Sequence, residues 1–149
     1  AYMFSFEVAK RLLEAGIIPN TISTDIHVDN RTRIVFDLPT MLGKFMALGL
    51  DLKTVIACAT VNPAKTLGLE DSIGSLRPGH VADVSILRLV EGEWNFTDSH
   101  GRTLRGDSTL VPVGAVRGGK YIESSPSTFL SHQSEDGGEV PVWRLRAGC

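Results

Sequence analysis

Asp25 is the residue whose type and position point most directly to chemistry. It ends the run of residues 21–25, which is rich in β-branched side chains and follows the turn-forming pair Pro19 and Asn20. Such a run predicts a short strand, with the Asp25 carboxylate at its C-terminal end. Enzymes with α/β folds place catalytic groups there, because the loops meet in one crevice. By position alone, Asp25 serves equally well as the first residue of a turn.

His27 lies two residues further on and shares a face with Asp25 if the segment is extended. Its imidazole can bind a metal or a substrate, or be a solvated loop side chain. A catalytic zinc needs about three protein ligands, and these two side chains supply at most two. No two histidines form an H-x-H or H-x-x-x-H pair; the chain has His27, His80, His100 and His132. A metal site made by this chain alone is therefore not expected.

Other chemical motifs are missing from the sequence. It has neither a glycine-rich phosphate loop nor a G-x-S-x-G nucleophile elbow. Its basic residues are scattered without interleaved aromatic residues, which argues against nucleic acid as a partner. Cys58 lies in an apolar run without a neighbouring His or Asn, which favours a buried, inert thiol over a nucleophile.

Helices are predicted through most of the first half of the chain. Ser5 caps the first helix and Gly16 ends it. Asp37 and Asp51 cap the second and third helices. The second carries a wide apolar stripe, formed by Leu38, Met41, Leu42, Phe45 and Met46. The fourth is predicted to begin at its cap Asn62, followed by Pro63, and to end at Gly68.

Strands are predicted after residue 70. They cover residues 81–87, 94–97, 110–116 and 121–123, with a hairpin turn at residues 91–93 and a turn at residues 117–119. Pro78 and Gly79 occupy the positions that a type II turn requires. Asp83 follows this turn, and we expect it to bond nearby backbone amides. The sequence becomes rich in Ser, Gly and acidic residues from residue 124, which predicts a mobile tail over residues 124–149.

Composition fits an ordinary globular chain. The 149 residues are 42% hydrophobic and 21% charged, with a formal net charge of -2. No apolar run reaches the roughly 18–20 residues of a membrane helix, so no membrane partner is expected. The cysteines Cys58 and Cys149 lie far apart, and no signal-peptide pattern is present. These features predict a cytoplasmic location.

Four motifs, taken in order, resemble the C-terminal part of the amidohydrolase superfamily, in its deacetylase or dihydroorotase-like branch. They are Thr24-Asp25, residues 37–40 (DLPT), residues 59–64 (ATVNPA) and residues 74–83 (GSLRPGHVAD). The resemblance covers roughly residues 5–123. It implies an α/β fold: the C-terminal fragment of a TIM-type (β/α)8 barrel plus part of a small β-sandwich domain. The barrel end would occupy residues 1–70 and the sandwich portion residues 71–123. A complete barrel needs roughly 200–250 residues, more than are present.

The resemblance also implies chemistry for Asp25. In such hydrolases the Asp after the last barrel strand binds a divalent metal and handles the proton of the attacking water. The metal would be zinc, as one or two ions, with most ligands on the upstream part of the barrel. The implied reaction is hydrolysis of an amide or ester in a small N-acyl or acyl-ester substrate, which His27 would contact. The D-x-x-P-H motif of dihydroorotases is absent after Asp25, which argues against dihydroorotate.

Two other interpretations stay open at this stage. The chain is either a truncated, non-catalytic remnant that serves as an assembly or ligand-binding module, or an independent α+β ligand-binding domain. On the hydrolase interpretation, the 149 residues alone would bind zinc weakly and turn over no substrate. The apolar helix stripes favour association with the rest of a barrel, and homo-oligomerisation is also left open.

Overall fold

Four helices form where side-chain caps and glycine stops coincide. The computed structural model describes residues 4–31 and 34–124. Its helices are α1 (Phe6–Glu14), α2 (Leu38–Ala47), α3 (Leu52–Ala59) and α4 (Val61–Leu67). Ser5, Asp37 and Asp51 cap the first three, each accepting a hydrogen bond from a backbone N–H three residues later. These predicted caps are confirmed, as is the left-handed Gly68 that ends α4.

The predicted cap of α4 is wrong. Thr60 is the N-cap residue, and its side chain makes no capping hydrogen bond. Asn62 lies inside the first turn, where its Nδ2 donates to the backbone carbonyl of Asn20 at 2.9 Å. The side-chain amide therefore ties α4 to the segment before Asp25, a use that local sequence does not reveal.

The predicted strand at residues 21–25 is also wrong. Residues 21–27 have no partner strand within the described ranges, and the backbone N–H of Ile22 donates instead to the Cys58 carbonyl at 2.9 Å. A strand requires a neighbouring strand to accept its ladder of hydrogen bonds, so β-branched residues alone do not make one. Ile22 is nevertheless buried, in contact with the core beside α3.

Three antiparallel strands form one sheet in the order β1-β2-β3. They are β1 (Val84–Thr97), β2 (Thr103–Arg117) and β3 (Lys120–Glu123). The hairpin turn predicted at residues 91–93 is wrong, because β1 runs through it. The pairing moves from Glu91 opposite Ser108 to Trp94 opposite Gly106, which marks a bulge. The reversal between β1 and β2 instead lies at residues 98–102.

Other turn predictions are confirmed. Gly79 has φ +94°, and the His80 N–H donates to the Arg77 carbonyl, as in a type II turn. Asp83 accepts a hydrogen bond at 2.7 Å from the backbone N–H of Gly118, in the turn between β2 and β3. The carboxylate of Asp83 is therefore structural, as predicted.

Helix α2 packs on β2, and two glycines allow its close approach. A Cβ on Gly43 would lie 2.9 Å from the Phe96 ring, and one on Gly106 would also lie 2.9 Å from it. Two buried clusters flank this contact. One joins α2, α3 and Ile22, and the other joins Phe6, Val90, Trp94 and Phe96.

No helix in the described ranges is both long and apolar enough to cross a membrane. The tail predicted at residues 124–149 lies, except for Ser124, outside those ranges.

Candidate functional site

Asp25 and His27 line the same cavity. Its volume is about 590 Å³, and its walls come from eight of the residues 21–30, from residues 34 and 35, from Met41, Lys44 and Phe45 of α2, and from Phe4 and Ser99. Apolar side chains form one side, among them Phe4, Ile22, Val35, Met41 and Phe45. The structure thus brings the two predicted site residues to one concave surface, although it does so through an unpaired segment and not through a strand end.

The backbone of Asp25 is in the left-handed region, with φ +47°. Aspartate is among the few residue types that adopt this conformation, at a cost of roughly 1–2 kcal/mol. The Nδ2 atom of Asn30 donates a hydrogen bond to the Asp25 carbonyl at 2.8 Å. A hydrogen bond of this kind contributes about 0.5–1.5 kcal/mol, which is comparable to the strain.

Asn30 is the centre of the loop that contains both site residues. Its Oδ1 accepts from the His27 N–H at 2.9 Å. Its backbone carbonyl accepts from the N–H groups of Ile34 and Val35, at 3.2 and 3.0 Å. One residue therefore connects Asp25 and His27 to the segment that leads into α2.

The far end of the loop is also strained. Phe36 has φ +58°, and the Asp37 N–H donates to the Val35 carbonyl at 2.7 Å, which closes a three-residue turn. Asp37 then caps α2 through the Thr40 N–H, at 2.7 Å. The loop thus begins and ends at non-glycine residues with positive φ, Asp25 and Phe36, a pattern that concentrates at functional sites.

The ring of His27 is oriented by the backbone of the same loop. Its Nδ1 accepts a hydrogen bond from the Asp29 N–H at 3.4 Å and lies 3.9 Å from the Asp29 carboxylate. When Nδ1 accepts, the proton of the neutral ring resides on Nε2. The Nε2–H of that ring has no acceptor among residues 4–31 and 34–124.

Lys44 of α2 is a buried cation on the wall of the cavity, with 1% of its surface exposed. Its Nζ donates to the carbonyls of Ile34 and Thr97, the latter at 2.8 Å. Burial lowers the pKa of Lys44 to about 8, while the Asp98 carboxylate acts in the opposite direction. Lys44 thus joins the loop after Asp25 to the end of β1.

Cys58 belongs to the core and not to this site. It is buried, its Sγ donates to the Pro19 carbonyl at 3.1 Å, and burial raises the pKa of its thiol. A thiol with a raised pKa forms little thiolate and is a poor nucleophile. The prediction of a buried thiol is confirmed.

Two carboxylates line the cavity, and that of Asp29 lies beside the His27 ring, 3.9 Å from Nδ1. The Asp25 side chain lines the cavity, and no group within residues 4–31 and 34–124 forms a hydrogen bond or ion pair with its oxygens. No group of three or more potential ligands occurs in that part of the chain. Asp25 fits the role of one ligand of a divalent ion, and the remaining ligands would have to come from outside the described residues.

Sequence reasoning did not identify Asn30 or Lys44. Asn30 lies in a polar loop. The only signal in the sequence is the pair Asp29-Asn30, because both residue types favour turns in which the side chain bonds nearby backbone groups. Lys44 lies in a helix that is apolar nearly all round, which is the signal that could have indicated burial.

Comparisons with known proteins show the family to which the chain belongs. The sequence profile of the "Amidohydrolase family" matches residues 6–113. A protein of Brucella anthropi named deacetylase is 35% identical over 122 residues, which cover 82% of this chain and 30% of that protein. The solved structure of an adenine deaminase superposes with a TM-score of 0.77 and 33% identity, over 81% of this chain and 33% of that one. The solved structure of a dihydroorotase superposes with a TM-score of 0.75 and 32% identity, over 83% of this chain and 32% of that one.

These comparisons bear on the fold class as well. The two solved structures are amidohydrolase TIM-barrel proteins, and the described residues form an α/β unit with one three-stranded sheet. The α/β class is confirmed, whereas the β-sandwich assignment stays a prediction. The chain spans about a third of the length of the relatives and structures it matches. The family profile covers residues 6–113 and the Brucella anthropi protein is 35% identical over 82% of the chain, so this chain belongs to the amidohydrolase family.

Proposed function

We propose that this chain supplies one carboxylate, Asp25, to the metal centre of a hydrolase that cleaves an amide or ester bond. The amidohydrolase family generally binds divalent metals, and relatives of this chain are named deacetylases. The observation that carries the proposal is the Asp25 carboxylate, which lines a cavity without a protein partner in the described ranges. Zinc, as one or two ions, is the metal proposed.

Asp25 would act as a proton carrier as well as a ligand. A divalent metal ion, when bound, lowers the pKa of a water molecule toward about 7. Asp25 accepts the proton of the attacking water and returns it to the leaving nitrogen or oxygen, so that the carboxylate is unchanged after one cycle. A carboxylate with no ion-pair partner among the described residues suits this task, because none of those contacts has to be broken when the proton arrives.

His27 would contact the substrate. Its Nδ1 accepts from the Asp29 N–H, which leaves the Nε2–H to donate to a carbonyl or carboxylate. The apolar wall that includes Phe4, Ile22 and Phe45 suits the acyl portion of a small N-acyl or acyl-ester compound. The rest of the metal ligands would come from an upstream part of the barrel.

The test uses the full-length gene product that carries this chain. Metal content is measured after dialysis, and acetate and ammonia release are followed on a panel of N-acetyl amino acids, acyl esters and aminopurines. We expect acetate release, reduced at least about 100-fold in Asp25→Asn. Asparagine tolerates the left-handed backbone, so this variant removes the charge with little change in conformation.

A matched control is Asp71→Asn, which neutralises an exposed carboxylate that does not line the cavity. We expect its rate and metal content to equal those of the wild type. Ammonia release without acetate release would instead identify a deaminase. Absence of both activities, with no metal retained, would favour the alternative of a non-catalytic assembly or ligand-binding module.

A further inference from the structure

We propose that Asn30 is the positioning residue of this site, holding the Asp25 carboxylate in the cavity by a side-chain bridge between Asp25 and His27. The inference rests on the proposed function of Asp25 and assigns to Asn30, which also lines the cavity, a role exerted through Asp25. Its basis is two hydrogen bonds of the Asn30 side-chain amide. The Nδ2 atom donates to the Asp25 carbonyl at 2.8 Å, and Oδ1 accepts from the His27 N–H at 2.9 Å.

The backbone conformation of Asp25 decides where its carboxylate points. At φ +47° the Cα–Cβ bond has a different direction from that of the extended conformation. Residues 21–27 lack a partner strand within the described ranges, so no β-ladder fixes this angle. Two hydrogen bonds restrain the strained residue: the Asn30 side chain donates to the Asp25 carbonyl, and the Ile26 N–H donates to Thr24 Oγ1 at 3.3 Å. The first of these is the one that reaches Asp25 from outside its own turn.

Asn30 is itself held firmly enough to act in this way. Its backbone carbonyl accepts from the Ile34 and Val35 N–H groups. The carbonyl oxygen of Ile34 in turn accepts a hydrogen bond from the buried ammonium of Lys44, on α2. The bridge is therefore anchored to a helix of the core, and its amide is not a freely moving surface group.

An asparagine meets both requirements of the bridge, since its side chain carries a donor and an acceptor. Aspartate keeps an oxygen for the His27 N–H but turns an oxygen toward the Asp25 carbonyl, where a donor is needed. Alanine removes both partners. The two substitutions therefore separate the hydrogen bond to Asp25 from the hydrogen bond to His27.

The test compares Asn30→Ala and Asn30→Asp with Val28→Ala in the full-length gene product. Val28 is 78% exposed and does not line the cavity, which makes it a control in the same loop. Zinc affinity is measured by competition with a chromophoric chelator, and amide exchange is followed at His27. Substitutions in the outer shell of a metal site lower affinity or activity by about 10–100-fold.

We expect zinc affinity and kcat to fall about tenfold or more in both Asn30 variants, with KM changed less than about threefold. Protection of the His27 amide should be lost in Asn30→Ala and kept in Asn30→Asp, which a general loosening of the loop would not produce. Zinc affinity in Asn30→Ala equal to that of Val28→Ala, beside a loss in Asp25→Asn, would overturn the positioning role alone. Unchanged zinc affinity in Asp25→Asn would overturn the proposed function, and the positioning role with it.

Discussion

The Nζ atom of Lys44 donates a hydrogen bond to the backbone carbonyl of Thr97 at 2.8 Å, across the contact between α2 and the end of β1. A second hydrogen bond from the same atom reaches the Ile34 carbonyl. A neutral amine still has two N–H groups, so both carbonyls keep a donor after Lys44 loses its proton. The ammonium form, by contrast, is buried and must be desolvated.

This relationship predicts that stability rises with pH in the alkaline range. The pKa of Lys44 is about 8 in the folded protein, against 10.5 for an ordinary lysine. Between these values the unfolded chain binds more protons, so the free energy of unfolding increases as pH rises. From pH 7 to pH 10, we expect the wild type to gain about 2 kcal/mol relative to Lys44→Met, measured by denaturant unfolding.

Lys53→Met is the control for this measurement, because Lys53 is exposed on α3. Its pH profile should run parallel to that of the wild type. The carboxylate that opposes the shift of Lys44 is that of Asp98, while Asp25, His27 and Asp29 line the same cavity. Parallel profiles of wild type and Lys44→Met between pH 8 and pH 10 would contradict the prediction.

Asp98 is expected to stabilise the fold at neutral pH. It is fully buried, and its carboxylate accepts from the backbone N–H groups of Phe6, His100 and Arg102, at 3.0, 2.8 and 3.0 Å. Burial alone would raise the pKa of Asp98, but these donors bring it below the ordinary value. Because the folded pKa is lowered, the stabilisation is present above about pH 4 and is lost as pH falls through the folded pKa.

We therefore expect Asp98→Asn to lower the free energy of unfolding at pH 7 by about 1–3 kcal/mol. The difference from the wild type should shrink as the pH is lowered below about 4, since the native carboxyl then becomes protonated. Asp107→Asn, at an exposed position of β2, should cost little at either pH. A loss in Asp98→Asn that is the same at pH 3 and pH 7 would contradict the role of the charge.

The helices were predictable because their signals are local. Asp37 and Asp51 each need only a backbone N–H three residues away, and Gly68 needs only its own φ. The strand at residues 21–25 was not predictable, since a strand exists only with a partner that lies elsewhere in the chain. Gly92 illustrates the same limit: residues 91–93 resemble a hairpin turn, yet distant pairing with β2 makes them a bulge.

The site was predictable only in part, for a related reason. Asp25 and His27 have distinctive chemistry and spacing, and the structure places both on one cavity. Asn30 and Lys44 act through hydrogen bonds to backbone groups, which any residue can provide and which leave no trace in the sequence. A lysine in a helix is usually solvated, so the burial of Lys44 depends on how α2 packs against the loop and β1.

A larger side chain at Gly43 is expected to destabilise the fold, although the residue lies in a helix. In a helix interior, alanine is about 1 kcal/mol more favourable than glycine. A Cβ here would, however, lie 2.9 Å from the Phe96 ring and 3.0 Å from Thr109 Oγ1, and overpacking a core costs about 1–3 kcal/mol. We expect Gly43→Ala to lower the free energy of unfolding by about 1 kcal/mol, measured by denaturant unfolding.

A double-mutant cycle locates the cause. In a Phe96→Leu background the ring atoms nearest Gly43 are absent and only the contact with Thr109 Oγ1 is left, so Gly43→Ala should cost less stability there. Equal losses in both backgrounds would show that the contact with Phe96 is not responsible, as would a gain in stability for Gly43→Ala in the wild type.

His27 is expected to affect substrate binding more than chemistry. If its Nε2–H binds the substrate equally in the ground state and the transition state, its removal raises KM without lowering kcat. Losing one hydrogen bond of about 1.4 kcal/mol corresponds to roughly a tenfold higher KM in His27→Ala. His27→Gln should recover part of this, because the glutamine amide also offers an N–H donor.

Asp29→Ala is the control, since it keeps the backbone N–H that orients Nδ1 and removes only the carboxylate. A fall in kcat with KM unchanged would instead assign His27 to proton transfer, and it would contradict the binding role.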